Sequence, residues 1–196
     1  MADPAYIVNG TLTDGEAWVP ISTSTVVGTS TGTITFTSTD DGQVGDFSQY
    51  MDLVLITYAG CIVDGDGGNY IYYYLNNDTT SANYIIQYAK GDGSSASANS
   101  HAWNLLGYMT GTKASVANVM TSCVIRWTDI NSGKFKACVS LNGQEKNTGT
   151  SHFYYINNVW EKPEPITEID LFEPNAYNFK EGSVFSLFGV LPRMVA

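Results

Sequence analysis

Apolar and polar residues alternate along much of this chain, and the clearest case lies near the carboxyl end. Residues 183–190 point Phe185 and Leu187 to one face, and turn-forming glycines, Gly182 and Gly189, bracket the segment. A period of two between turn formers is typical of a β-strand. Glycine at these positions predicts a bulge or a close approach of another part of the chain, because it carries no Cβ atom.

A second short strand is predicted at residues 166–171, with Ile166 on one face and Ile169 on the other. The segment Met51–Tyr58 has apolar residues at both parities, which indicates a central strand covered on both sides. The whole chain contains roughly ten such segments and no sustained helical period. We therefore predict an all-β, antiparallel β-sandwich of jelly-roll type; an open antiparallel barrel is the alternative.

The length of 196 residues suits one domain with a full core. We predict that residues 1–32 form an extended N-terminal arm with edge strands, because Pro20 favours an edge position. Residues 33–196 are predicted to form a single jelly-roll domain.

One predicted hairpin determines on which face of the sheet two of the three cysteines should lie. A three-residue turn at 131–133 pairs Cys123 with Leu141 on a buried face and sets Cys138 opposite Arg126 on the other. On opposite faces the two thiols cannot easily bond. The N-terminus shows no apolar secretion signal, so we expect inert thiols in a cytoplasmic product.

The charge of the chain disfavours two classes of partner. Its net charge is −10, with only 14 % charged residues and nine Lys and Arg. Nucleic acids and anionic membranes need basic patches, and no run approaches the ~20 apolar residues that span a bilayer. We expect neither partner.

Candidate catalytic and metal-binding patterns are weak. Residues 28–32 match G-x-S-x-G but lack the flanking strand and helix of a nucleophile elbow. The two histidines, His101 and His152, have no partner at a fixed spacing. Asp64 and Asp66 lie in a glycine-rich loop, which predicts a turn, with an oxygen-ligated Ca²⁺ site as the alternative. We predict no catalytic residue, metal or cofactor.

Tyrosine is abundant, with 13 residues, and clusters in two neighbouring segments. Tyrosine joins a large apolar body to a polar tip and is enriched at interfaces. Three interpretations remain open: an ordinary amphipathic sheet surface, a subunit interface, or a platform on which sugars stack. The candidate interface residues are Tyr70, Tyr72, Tyr74, Tyr84 and Tyr88.

The carboxyl-terminal segment also carries a recognisable motif. Its residues are Trp160, Ile166, Ile169, Phe179, Gly182, Phe185, Leu187, Phe188 and Gly189. This ending resembles the closing segment of a jelly-roll family found among structural proteins of tailed bacteriophages. Thr33–Ser38, Tyr50–Leu55 and Asn76–Asp78 resemble earlier parts of the same family more weakly.

The resemblance implies a component of a virion. We expect a non-enzymatic capsid decoration or cement protein, made in the host cytoplasm and located on the outer capsid surface. Its expected partners are the major capsid protein and, in a homotrimer, its own copies. The alternative is a receptor-binding module of a tail fibre or baseplate that recognises host glycans.

Overall fold

The computed structural model describes residues 7–8, 11–12, 18–62, 69–110, 120–145 and 151–191. These residues contain strands and two single-turn 3₁₀ helices, and within them there is no α-helix. The strands are β1 (Ile7–Val8), β2 (Thr11–Leu12), β3 (Trp18–Thr25), β4 (Thr33–Thr37), β5 (Asp52–Ala59), β6 (Asn69–Leu75), β7 (Tyr84–Gly91), β8 (Ala96–His101), β9 (Leu105–Met109), β10 (Thr121–Thr128), β11 (Lys136–Glu145), β12 (Ser151–Trp160), β13 (Glu168–Phe172) and β14 (Val184–Val190). The all-β prediction is confirmed.

Two antiparallel sheets form the sandwich. The larger sheet has the order β3-β14-β5-β10-β11-β12-β7-β8, and the smaller has the order β4-β13-β6-β9. The pairs β3/β14, β4/β13, β5/β10 and β6/β9 are nested, as in a long hairpin rolled into two layers. This nesting is jelly-roll topology. The hairpins β7–β8 and β11–β12 are insertions that widen the larger sheet, and β1 pairs with β2 alone.

The main core lies between the two sheets, because alternate residues of each strand face inward. Trp127 from β10, Tyr73 from β6 and Phe185 from β14 are among its largest fully buried side chains. A second, smaller cluster forms where β9 packs on the inserted strands, and it contains Ile86, Leu105, Tyr108, Tyr154 and Ile156. The insertions are therefore anchored by their own apolar contacts.

The carboxyl-terminal motif supplies core and close-packing residues. Trp160, Ile166, Ile169, Phe179, Phe185 and Leu187 are all buried. Phe188 points outward from β14 and packs on Trp18 with ring centroids 6.1 Å apart. Gly182 has a φ of +84°, a conformation that side chains with a Cβ rarely adopt.

One detail of that motif differs from the prediction. β13 begins at Glu168, so Ile166 precedes the strand and does not follow its alternation. Ile166 is fully buried, as is Ile169. Its amide donates to the carbonyl of Ile130 at 3.1 Å, which draws this segment into the core. The two isoleucines therefore lie on the same side, and their predicted opposition is wrong.

The predicted register of the β10–β11 hairpin is wrong by one residue. Thr128 pairs with Ala137 and Cys123 with Asn142. The connection is long, because Asp129 adopts a φ of +55° and Ile130 bonds through its amide to the Met51 carbonyl at 2.9 Å. Since a shift of one residue reverses the faces of a strand, the faces of β11 are inverted.

The corrected register places Cys138 opposite Trp127, on the same buried face of the sheet as Cys123, and both are free thiols. Burial raises the pKa of Cys123 to about 12. The third cysteine, Cys61, is buried as well. Burial of the thiols is confirmed, whereas the predicted position of Cys123 and Cys138 on opposite faces is wrong.

The edge strand that Pro20 predicts within the first 32 residues is present. β3, Trp18–Thr25, pairs with β14 from Val190 to Val184 and forms one edge of the larger sheet. These residues are therefore part of the larger sheet, and the division of the chain at residue 32 stays a prediction. The predicted strands and loops at residues 1–6, 13–17, 63–68 and 111–119 lie outside the described residues. Among the described residues no helix is both long and apolar enough to cross a membrane.

Candidate interaction surface

The outer side of the larger sheet carries a continuous apolar row. The registers place Ile56 beside Val124, Val124 beside Leu141, and Leu141 beside Tyr155. Two residues further along the strands, Tyr58 and Phe153 lie on the same side, separated by Ser122 and Gly143. We call this surface the outer apolar face: Ile56, Tyr58, Val124, Leu141, Phe153 and Tyr155.

Five of these side chains are exposed and Ile56 is half-buried, because the opposite parity of each strand fills the core. In β10, Cys123, Ile125 and Trp127 point inward and are fully buried. Their outward neighbours remain accessible: Leu141 is 58 % exposed and Phe153 is 61 % exposed. Large contiguous apolar patches are uncommon on monomeric soluble proteins and often mark interaction sites, so this face is a candidate interaction surface.

The outer apolar face bears almost no charge. Among the described side chains on this side of β5, β7, β10, β11 and β12, the charged ones are Asp52 and Arg126. They pair with each other, with Arg126 Nε donating to Asp52 Oδ2 at 3.0 Å. Asp52 also accepts from the Asp129 amide at 2.9 Å. Although the chain has a net charge of −10, the described side chains on this face thus carry no unpaired charge.

The face ends in small side chains on the inserted hairpin. Tyr155 pairs with Ala89 of β7, and Ala89 pairs with Ala98 of β8. Residues 96–100 are exposed at every position. The edge strand β8 contains no Lys, Asp, Glu or Pro, the residues that protect many sheet edges from pairing. The apolar face therefore continues to an edge strand that no further described strand pairs with.

The structure divides the five candidate tyrosines among three places. Tyr84 is fully buried; its hydroxyl donates to the Asp78 carbonyl at 2.9 Å and accepts from the Leu75 amide at 3.0 Å. It is a core residue and not a surface residue. Tyr70, Tyr72 and Tyr88 are half-buried against the second cluster.

That second cluster is built largely of stacked rings. Tyr108 and Tyr154 stack with centroids 3.8 Å apart, and Tyr70 lies 5.2 Å from Tyr108. Burial raises the pKa of Tyr154 to about 12. Three of the five candidate tyrosines thus pack against the inserted strands, which agrees with the interpretation as an ordinary amphipathic sheet surface.

Tyr74 shares the face of β6 that carries Tyr70 and Tyr72, and it lines a groove on the outer side of the smaller sheet. Its ring packs against Phe172 with centroids 4.5 Å apart and an interplanar angle of 31°. The groove has a volume of about 630 Å³. Its lining residues include Thr33, Tyr74, Asn77, Asp170, Phe172, Glu173, Tyr177 and Asn178. We call it the aromatic groove.

The remaining candidate sites do not assemble into a reactive centre in the described part of the chain. His101 stacks on Trp103 with centroids 4.0 Å apart, and His152 Nδ1 lies 3.2 Å from the hydroxyl of Tyr154. Residues 28–32 lead into β4 and not into a helix. Among the described residues no three His, Cys, Asp or Glu lie close enough to hold a metal ion. Asp64 and Asp66 lie outside the described residues.

Sequence reasoning found part of the outer apolar face and missed the rest. The alternation visible in the sequence of residues 151–160 separates Phe153 and Tyr155 from His152 and Tyr154, and the structure has the same division. Leu141 was missed because the wrong register assigned it to the core. Tyr58 was missed because Met51–Tyr58 was predicted to be covered on both sides, whereas Tyr58 is 48 % exposed.

Fold and surface together define a class: a widened jelly-roll sandwich with one neutral, apolar outer face. No family model, curated protein or solved structure matches the chain.

Proposed function

We propose that this protein is a non-enzymatic structural protein of a tailed-bacteriophage virion, most specifically a capsid decoration or cement protein. It binds the outer shell, and the outer apolar face makes the contact with the major capsid protein or with neighbouring copies of the chain. The observation that carries the proposal is the contiguous exposure of Val124, Leu141, Phe153 and Tyr155 on one neutral face.

The dimensions of the face suit a modest contact that is repeated many times. Ile56, Val124, Leu141 and Tyr155 lie on four adjacent strands, which span about 14 Å at the usual spacing of ~4.8 Å. Such a patch is smaller than the roughly 800 Å² that each partner buries in a standard stable complex. When many copies bind to a regular shell, multivalency compensates for the weak affinity of each single contact.

A homotrimer would add a second contact, for which the unprotected edge of β8 is available. Antiparallel pairing of one edge strand with a neighbouring chain satisfies the exposed backbone groups of both. The carboxyl-terminal resemblance to phage jelly-roll proteins supports the same assignment, because its motif residues build the closing strand of this sandwich.

The proposal is tested with particles stripped of this protein and then incubated with purified chain. We expect the wild-type chain to rebind and to restore resistance to heat and osmotic shock. Leu141→Lys and Phe153→Glu should abolish rebinding while they change the free energy of unfolding by less than about 0.5 kcal/mol, as is usual for exposed positions. A matched control is Gln87→Glu, an exposed residue of the same sheet that lies outside the apolar row.

Two results would contradict the proposal. One is particles that keep their resistance after stripping. The other is a Leu141→Lys chain that rebinds as well as the wild type. A count of a few copies per particle instead of hundreds would move the protein to the tail, which is the receptor-binding alternative.

A further inference from the structure

We propose that the aromatic groove is a binding site for neutral oligosaccharides. This assignment goes beyond the docking function and uses the other sheet of the sandwich. The groove combines apolar ring surface with a few placed polar groups, the composition by which concave sites usually bind small polar ligands. Its volume of about 630 Å³ lies within the roughly 300–1,000 Å³ of such sites.

The floor of the groove is set by strand register. Asp170 of β13 lies beside Tyr74 of β6 on one side and Thr35 of β4 on the other. Phe172 has the same parity as Asp170, so both point outward with Tyr74. The rings of Tyr74 and Phe172 form a continuous half-buried surface that can pack against the C–H face of a pyranose.

The wall of the groove is a loop that a buried carboxylate holds in place. Glu173 is 3 % exposed, and its oxygens accept from the Asn175 amide at 2.7 Å, from Asn175 Nδ2 at 2.8 Å and from the Tyr177 amide at 3.2 Å. Ala176 adopts a φ of +60° in the same turn. The loop is therefore preorganised, and it presents Tyr177, 38 % exposed, at the rim. A binding site that is ordered in advance loses less entropy when its ligand arrives.

Fixed polar groups surround the rings. Asp170 Oδ1 accepts from Thr35 Oγ1 at 2.5 Å, which orients the carboxylate, and Oδ2 accepts no hydrogen bond from the described residues. Asn178 is held by donation from its Nδ2 to Ser30 Oγ at 3.0 Å, and its Oδ1 lies beside Gly32. A carboxylate oxygen and an amide oxygen next to an aromatic surface match the vicinal hydroxyls of a sugar.

The charge of the groove selects among sugars. The charged residues in its lining are Asp170 and Glu173, both negative, and the chain as a whole carries −10. Sialylated, sulfated or phosphorylated glycans would meet like charge, which disfavours them. The ligand class is therefore neutral hexose or N-acetylhexosamine oligosaccharide.

The test uses fluorescently labelled full-length chain on an array of neutral, sialylated and sulfated oligosaccharides, followed by calorimetric titration of the best neutral ligand. We expect binding to neutral members only. Tyr177→Ala should weaken binding at least tenfold, Tyr177→Phe should retain most of it, and Asp170→Asn should weaken it measurably.

Trp103→Ala is the matched control, because Trp103 is 39 % exposed, much like Tyr177, and lies outside the groove. It should bind like the wild type. The proposal is overturned if the chain binds no neutral oligosaccharide at millimolar concentration, if it prefers anionic ligands, or if Trp103→Ala loses binding while Tyr177→Ala keeps it. Leu141→Lys should leave sugar binding unchanged, so failure of the docking proposal and failure of this one are distinguishable.

Discussion

Replacement of Gly189 by alanine should destabilise the sandwich strongly, although it adds one methyl group. A Cβ atom at this position would lie 2.3 Å from two ring carbons of Tyr50, where ordinary contacts begin at 3.4 Å. The ring must therefore move by about 1 Å. Tyr50 is 2 % exposed, and its hydroxyl donates to the Val44 carbonyl at 2.8 Å. Movement of the ring thus strains the core and weakens a hydrogen bond.

The magnitude follows from these two costs. Overpacking of a filled core costs about 1–3 kcal/mol, and a lost hydrogen bond costs about 1 kcal/mol. We expect Gly189→Ala to lower the free energy of unfolding by about 2–4 kcal/mol. At roughly 2–4 °C per kcal/mol for a chain of this size, the melting temperature should fall by on the order of 10 °C.

Two other glycines provide controls within the same sheet. Gly143 has no atom within 4 Å of its virtual Cβ, so Gly143→Ala measures only the reduced entropy of the unfolded chain. A Cβ atom added at Gly91 would also lie 2.3 Å from its nearest atom, which is a ring carbon of Phe153. Because Phe153 is 61 % exposed, its ring can turn into solvent, and Gly91→Ala should cost less than about 1 kcal/mol.

Urea unfolding at one fixed protein concentration is the assay, since assembly would make the midpoint depend on concentration. The difference between Gly189→Ala and Gly143→Ala isolates the steric cost. The reasoning is refuted if Gly189→Ala and Gly91→Ala are equally destabilised, because overlap alone would then decide the outcome. It is also refuted if Gly189→Ala unfolds within about 0.5 kcal/mol of Gly143→Ala.

Two further predictions concern buried ionisable groups. Lys136 is 1 % exposed, and its ammonium donates to three backbone carbonyls, among them Pro163 at 3.1 Å. Lys136→Met should therefore lower the free energy of unfolding by about 1.5–3 kcal/mol. Lys134→Met, at an exposed position, should leave it unchanged, and equal stability of the two variants would contradict this role for Lys136. Burial raises the pKa of Tyr154 to about 12 and that of Tyr73 well above its usual value, so the folded chain keeps protons that the unfolded chain releases near pH 10. Burial also raises the pKa of the Cys123 and Cys138 thiols, which ionise near pH 8.5 in an unfolded chain. Stability should therefore begin to fall above about pH 8.5 and fall more steeply above pH 10, by about 1.4 kcal/mol per pH unit for each buried thiol or tyrosine. Titration of all 13 tyrosines as one class in a chain that stays folded, followed by absorbance at 295 nm and circular dichroism, would disprove it.

The sandwich could be predicted from sequence because its strands alternate cleanly and are short. β14 shows this best: Phe185 and Leu187 point inward as the pattern requires, and Gly189 meets a neighbouring ring. The order of strands in each sheet could not be predicted in this way. Pairings such as β3 with β14 join residues more than 150 positions apart, and local periodicity contains no information about such distant contacts.

The candidate surfaces were predicted less well, for a physical reason. Register depends on the geometry of a turn, and the β10–β11 connection was misjudged because tertiary bonds hold Ile130 in the core. That one-residue error hid Leu141 at the centre of the outer apolar face. Tyr84 was misplaced for a related reason, since tyrosines of similar spacing can lie in a core or on a surface, and only packing separates them.

The two proposed sites lie on opposite layers of the sandwich, and this arrangement has a consequence for their use. The outer apolar face belongs to β5, β10, β11 and β12 of the larger sheet, and the aromatic groove belongs to β6 and β13 of the smaller one. The outer sides of two packed sheets face away from each other. A chain docked on a shell through Leu141 and Phe153 therefore presents Tyr74, Phe172 and Tyr177 to the surrounding medium. Many docked copies would display many grooves, so that weak binding of single sugars would add up to strong adhesion of the whole particle.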